Sequence, residues 1–219
     1  DAALNAGSKE VFIISEPFAA AIGANIPVAT ASGNMVVDIG GGSTESAVIS
    51  LGGVVVHNSV RVAGNKIDEA IAQYLRKRFN LLIGERTAEE VKIQIASAIK
   101  LSPEIKMEVR GRDNISGLPR MIEVSSTEIT EAISLVLNSI IGCVKGVLEQ
   151  TPPELASDII DKGIVMAGGT SMLRNLDRLM TNVTGVPCHV AEEPLLCVAK
   201  GTGVAIENID LYKRSITKK

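Results

Sequence analysis

The chain has 219 residues, enough for one large domain or two small ones, and 46% of them are hydrophobic. Aromatics make up only 2% and tryptophan is absent, so the core has to be aliphatic. A net charge of −3 with mixed signs argues against a nucleic-acid surface, and two isolated histidines argue against a metal-ligand cluster. Cys143, Cys188 and Cys197 form no C-x-x-C pair and read as reduced cytosolic thiols.

Residues 1–7 read as the last turns of a helix closed by Gly7, so the chain is expected to be a fragment that begins inside a helix. Residues 10–14 are expected to form a short buried strand. Ser15-Glu16-Pro17 starts a helix, with proline in the first turn where its missing N–H costs nothing. Glu16 therefore sits where strand becomes helix, the edge at which α/β proteins place ligands. Its plainer role is to complement the helix N-terminus.

The next stretch is the centre of the sequence: Asp38-Ile39-Gly40-Gly41-Gly42-Ser43-Thr44-Glu45, flanked by apolar runs at 35–37 and 47–49. Three glycines between two strands make a tight turn whose successive N–H groups can cradle an anion such as phosphate. Asp38 at its mouth could hold Mg²⁺ through water. An ordinary glycine hairpin with a solvated aspartate explains the same octet. A dinucleotide fingerprint does not, because a strand follows where a helix is required.

Gly52-Gly53 turns the chain into a third strand, and residues 66–79 form a helix with Ile67, Ala70, Ile71, Tyr74 and Leu75 on one face. Thr87-Ala88-Glu89-Glu90 reads as a capping box that starts a helix reaching about Lys100. Glu89 and Lys92 share a face of it, as a surface ion pair would. Residues 106–112 and 119–124 look like two strands. Ser125 to Glu128 is a second capping box, opening the longest helix, 127–150. The apolar run 132–144 inside it is too short to span a bilayer and reads as a buried helix. A strand at 164–167 leads through Gly168-Gly169-Thr170-Ser171 into a helix carrying Met172, Leu173, Leu176 and Leu179, which would present N–H groups at a helix N-terminus. A strand at 186–190 and a helix opened by Pro194 and running through Ala205 follow.

Taken together, stretches 15–23, 36–42, 61–64, 83–89, 151–155 and 199–201 resemble the actin, sugar-kinase and chaperone-ATPase superfamily, and within it the bacterial actin-like MreB family that determines rod cell shape. The resemblance covers the chain but only about the second half of the family protein. It implies an α/β fold: half of an actin-like (ribonuclease H-like) ATPase, a mixed sheet flanked by helices with a small inserted α+β subdomain. Residues 1–64 and 127–219 would be the inner nucleotide-binding subdomain and residues 65–126 the outer one. By the same resemblance Asp38, Gly40, Gly41, Gly42, Ser43 and Thr44 belong to the second phosphate loop, with Asp38 on the Mg²⁺ side. Glu16 falls where the family orients the attacking water, Glu89 and Lys92 match its ribose-holding E-x-x-K, and Gly168, Gly169 and Thr170 match its adenosine turn. Ser15 departs from the family's second acidic residue.

The implied ligands are ATP or ADP with Mg²⁺. The implied partners are further copies in a filament and the cell-wall elongation machinery at the inner membrane surface, for a protein that is cytoplasmic and membrane-associated. No nucleic acid is implied. Without the opposing phosphate loop the chain alone is expected to hydrolyse little ATP. Half of a sugar or acetate kinase, or a non-catalytic interaction module, are the alternatives.

Overall fold

The structure is a computed structural model that describes residues 1–213 and 215–218. The chain opens with the short helix α1 (Ala2–Asn5), strand β1 (Phe12–Ile14) and helix α2 (Glu16–Gly23). Strands β2 (Asn34–Ile39), β3 (Thr44–Ser50) and β4 (Gly53–Val60) form an antiparallel meander. Helix α3 (Gly64–Phe79), strand β5 (Leu81–Leu82), helix α4 (Glu85–Ile95) and strands β6 (Lys106–Asp113) and β7 (Pro119–Ser125) follow. Helices α5 (Ser126–Gln150) and α6 (Pro153–Lys162) lead into β8 (Ile164–Ala167), α7 (Leu176–Thr184) and β9 (Cys188–Val190). The chain closes with α8 (Cys197–Glu207), α9 (Ile209–Tyr212) and β10 (Ile216–Lys218).

The main sheet has the order β4-β3-β2-β8-β9. It is mixed: β2 pairs antiparallel with β3 and parallel with β8, which pairs parallel with β9. A separate three-stranded sheet, β5-β6-β7, lies in the stretch between β4 and α5. β2 is buried along its whole length, as a central strand covered on both faces must be. On one face Val36, Ala47 and Ile49 pack with Phe18, Ala20 and Ala21 of α2 and with Cys197 and Ala205 of α8. On the other, Met35, Val37 and Val48 join a core that runs through Ile67, Ile71, Val91, Val124, Ile133 and Ile140. The aliphatic residues thus fill two cores, one on each face of the main sheet, and the second core extends to the three-stranded sheet.

The longest helix shows why local pattern and burial agree. Ser125 accepts from the Glu128 N–H while the Glu128 carboxylate accepts from the Ser125 N–H, a reciprocal cap. Ile129, Ile133, Leu137, Ile140, Ile141 and Val144 then bury one face. The whole α5 is 25 residues and apolar enough to cross a membrane, which the shorter run 132–144 did not suggest. Its buried stripe faces the core, and its other face carries Glu131, Ser134, Asn138 and Lys145.

Several expectations need correcting. The strand at 10–14 is not buried: β1 pairs with β10 outside the main sheet, and Ile13 is exposed. α4 begins at Glu85 from an extended Gly84, and no capping box forms at Thr87. It stops at Ile95 rather than Lys100. There Ser97 bridges in parallel to Arg174, and the Ala98 N–H donates to the Arg174 carbonyl at 2.8 Å, so a tertiary contact takes the backbone away from the helix. The glycine turn after β8 does not open an α-helix. Residues 169–172 make one 3₁₀ turn, Leu173 is extended, and α7 starts only at Leu176. Pro194 likewise opens a 3₁₀ turn, and α8 begins at Cys197.

Candidate nucleotide-binding cleft

The parallel register of β2 on β8 sets Asp38 beside Ala167, so both strands end at the same sheet edge. The turns that leave them, 40–43 and 168–171, therefore meet, at the carboxyl-end crevice where open α/β sheets hold ligands. The Thr170 hydroxyl donates to the Gly40 carbonyl at 2.7 Å and locks the two turns together. The N-terminus of α3 docks on the same turn: Gly64 N–H donates to Gly40 O at 3.2 Å and Asn65 N–H to Gly41 O at 2.8 Å. Those two bonds satisfy donors that a helix start would otherwise leave open. Among the described residues, the N–H groups of Gly41, Gly42 and Ser43 find no acceptor, which leaves them available to an anion.

Two of the glycines are demanded by this packing. Gly168 has φ +82°, and a Cβ there would stand 2.3 Å from the Ile39 carbonyl oxygen and 2.5 Å from Asp38 Oδ1. At Gly64 a Cβ would come within 2.6 Å of Thr170 Oγ1. Side chains larger than hydrogen would push the walls apart.

The turns open onto a cavity of about 800 Å³. Of the residues singled out from the sequence, Glu16, Asp38, Gly40, Gly41, Glu89, Lys92, Gly168, Gly169 and Thr170 line it. Gly42 and Ser43 sit at the tip of the turn, outside the lining. Thr44 opens β3 and is fully buried, its hydroxyl given to the Val62 carbonyl at 2.7 Å. Ser15, beside Glu16, is the exposed N-cap of α2 and makes no side-chain cap.

Asp38 is only 5% exposed. Burial, then repulsion from Glu16 and from Glu45, which stands opposite it in the β2–β3 ladder, pushes its carboxyl up to about 6. Excess negative charge at that mouth suits a cation. Among the described residues no group of three or more His, Cys, Asp or Glu could hold a metal directly.

Lys92 does not pair with Glu89. Its ammonium bonds Asp68 of α3 at 2.8 Å, and both side chains are largely buried. Burial raises the Asp68 carboxyl above the ordinary range against the opposite pull of Lys92, and Glu89 adds to the rise.

The apolar wall of the cavity escaped sequence reading. Ile93, Met172, Leu173, Leu195 and Val198 line it, with Arg174 at its edge. Ile93 (69% exposed) and Leu195 (66%) show large apolar surface there, and no single periodicity marks the wall because it is drawn from α4, α8 and the stretches of two 3₁₀ turns. A cleft with anion-binding turns and an acidic residue at one end and an apolar slot at the other fits a nucleotide.

A family model described as MreB/Mbl protein matches residues 1–214. The chain belongs to the MreB/Mbl family. It is 53% identical over 212 residues to the cell shape-determining protein MreB of Escherichia coli K12, covering 97% of this chain and 61% of that protein. It is 47% identical to the cell shape-determining protein Mbl of Bacillus subtilis 168, covering 99% of the chain and 66% of the relative. The 219 residues thus span less than two thirds of the MreB proteins they match. Among solved structures, MreB5 of Spiroplasma citri bound to ADP superposes with a TM-score of 0.92 at 39% identity, over 97% of this chain and 64% of that one. The same MreB5 bound to AMPPNP gives 0.86 at 40%, over 91% and 60%. A double-helical filament of MamK gives 0.70 at 23% identity, over 89% and 59%, a likeness of fold alone. The fold is therefore the actin-like ATPase fold expected from the resemblance.

Proposed function

We propose that this chain is the nucleotide-binding part of an actin-like, ATP-dependent filament protein that sets rod cell shape by organising cell-wall synthesis. The observation that carries the reading is the single cavity into which Glu16, Asp38, the 40–41 and 168–170 turns, Glu89 and Lys92 all converge. The MreB5 structures with ADP and AMPPNP support a nucleotide as its occupant. Family membership does not favour the sugar- or acetate-kinase alternative.

In this reading the two sheets belong to two lobes, residues 1–64 with 127–219 and residues 65–126. The free amides of the 41–43 turn hold phosphate oxygens, and Glu89 and Lys92 hold the ribose. The 168–170 turn and the apolar wall take the adenosine. Asp38 holds Mg²⁺ through water; the ion, when bound, neutralises phosphate charge. Phosphoryl transfer needs little covalent help from a protein, so positioning and charge carry it. Glu16, exposed at the start of α2 beside the Asp38 turn, is the carboxylate that orients a water and accepts its proton, help worth about 10²–10⁴ in rate. The described residues grip phosphate through one glycine turn on one side only, so the 219-residue chain is expected to bind ATP yet turn it over slowly. Self-association into filaments, contact with the cell-wall elongation machinery and membrane association belong to the same proposal.

Calorimetry of the 219-residue chain with Mg-ATP and Mg-ADP tests it. Both should bind, and Lys92→Ala should weaken binding by about 1.5–3 kcal/mol, one charge-assisted hydrogen bond. No heat of binding at millimolar nucleotide would sink the reading.

A further inference from the structure

We propose that Asp68 is a positioning residue that holds the Lys92 ammonium at the sugar-binding edge of the cleft. The inference rests on the nucleotide reading above and adds a residue to it. Asp68 is absent from the cavity lining, whereas Lys92 is part of it. The two meet at 2.8 Å between α3 and α4, each side chain only 16% exposed.

The geometry explains why Lys92 needs this partner. Its ammonium lies 3.6 Å from where a Cβ on Gly64 would stand, beside the first residue of α3. A helix N-terminus carries partial positive charge, and α3 has no acidic residue in its first turn to offset it. Asp68 is one turn further on, on the face of Gly64, and supplies the missing negative charge. A lysine stem is flexible and strongly hydrated at its tip. Without Asp68 the ammonium would be repelled from the α3 end and swing into solvent or toward the phosphates. With Asp68 the pair is nearly neutral, and Lys92 becomes a fixed donor suited to a hydroxyl rather than a mobile cation suited to phosphate.

Stability does not account for the pair. Asp68 Oδ1 is buried and, among the described residues, has no hydrogen-bond partner. A half-satisfied buried carboxylate next to a second acid, Glu89, gains the fold little, since desolvation cancels much of the attraction. Its placement is accounted for by what it does to Lys92.

The test compares ATP with 2′,3′-dideoxy-ATP by calorimetry on the 219-residue chain. The wild type should prefer ATP. Asp68→Asn, nearly isosteric, should lose affinity for ATP on the order of tenfold while its affinity for the dideoxy compound holds, so that the preference collapses. In a Lys92→Met background the preference should already be gone, and adding Asp68→Asn should change nothing. A purely structural clamp between α3 and α4 would weaken both ligands equally; a retained preference in Asp68→Asn would therefore overturn the proposal and leave the nucleotide reading standing. A wild type that binds ATP without regard to the hydroxyls overturns it too. A wild type that binds neither compound removes the nucleotide reading itself, and this inference with it. If Asp68→Asn does not fold, Asp68→Glu keeps the charge and displaces the ammonium by a methylene. It should show the same collapse, and an intact preference there refutes the role.

Discussion

The contact between the 168–170 turn and Asp38 can be tested by one methyl group. Gly168 combines a backbone conformation that side chains rarely adopt with a site where a Cβ would overlap the Ile39 carbonyl and the Asp38 carboxylate. Gly168→Ala should cost about 1–3 kcal/mol in backbone strain. It should cost about 1–3 kcal/mol more in overpacking, because the atom it meets is backbone in a central strand and cannot rotate away. Gly185 provides the control. It also has positive φ, +74°, at the end of α7, but a Cβ there meets nothing within 4 Å. Gly185→Ala should therefore cost only the strain, about 1–2 kcal/mol. Urea unfolding of both variants measures the difference, and nucleotide titration measures its consequence, since the added methyl displaces Asp38. Equal unfolding midpoints for the two variants would refute the close packing of this turn on Asp38.

Asp38→Asn should trade function for stability. The Asp38 carboxyl is raised from 3.8 to about 6, so its ionised form is disfavoured in the folded chain. Wild-type stability should then fall as pH rises from about 4 to 6 and stay level above, a loss of at most about 3 kcal/mol. With chelator present, the asparagine variant should be the more stable at pH 7–8 and lose that advantage toward pH 4; urea midpoints across this range that run parallel would contradict the cause given. Thr170→Val removes the hydroxyl that bonds Gly40, and should lower stability by about 1 kcal/mol and loosen nucleotide binding, both readable in one set of thermal shifts with and without ATP. Ser125→Ala breaks the α5 capping box at a residue outside the cavity lining; it should cost about 1 kcal/mol and leave nucleotide affinity unchanged, so altered affinity would show that α5 communicates with the site.

The meander, the long helix and the glycine turns were legible because each rests on local rules. Alternation and β-branched runs mark β2, β3 and β4, and Ser125 with Glu128 marks the start of α5. The capping-box rule failed at Thr87, where the same letters occur inside a helix that had already begun at Glu85. Nothing in residues 95–100 announces that α4 must stop, because the reason lies 77 residues away, where the Ser97 hydroxyl bonds the Arg174 carbonyl.

The central meander, the longest helix, the aliphatic core, the two glycine turns and Asp38 at the mouth of the first were legible from sequence. Those depend on neighbours a few residues apart, and backbone sterics and periodicity read them directly. Tertiary structure alone decided that the Asp38 and Gly168 turns touch, that Thr170 ties them, and that Lys92 takes Asp68 rather than Glu89 as partner. It also built the apolar wall from Ile93, Leu195 and Val198, which share no periodic face. Each of these pairings joins residues distant in sequence through the parallel register of β2 on β8 or the packing of α3 on α4, and no local rule encodes either.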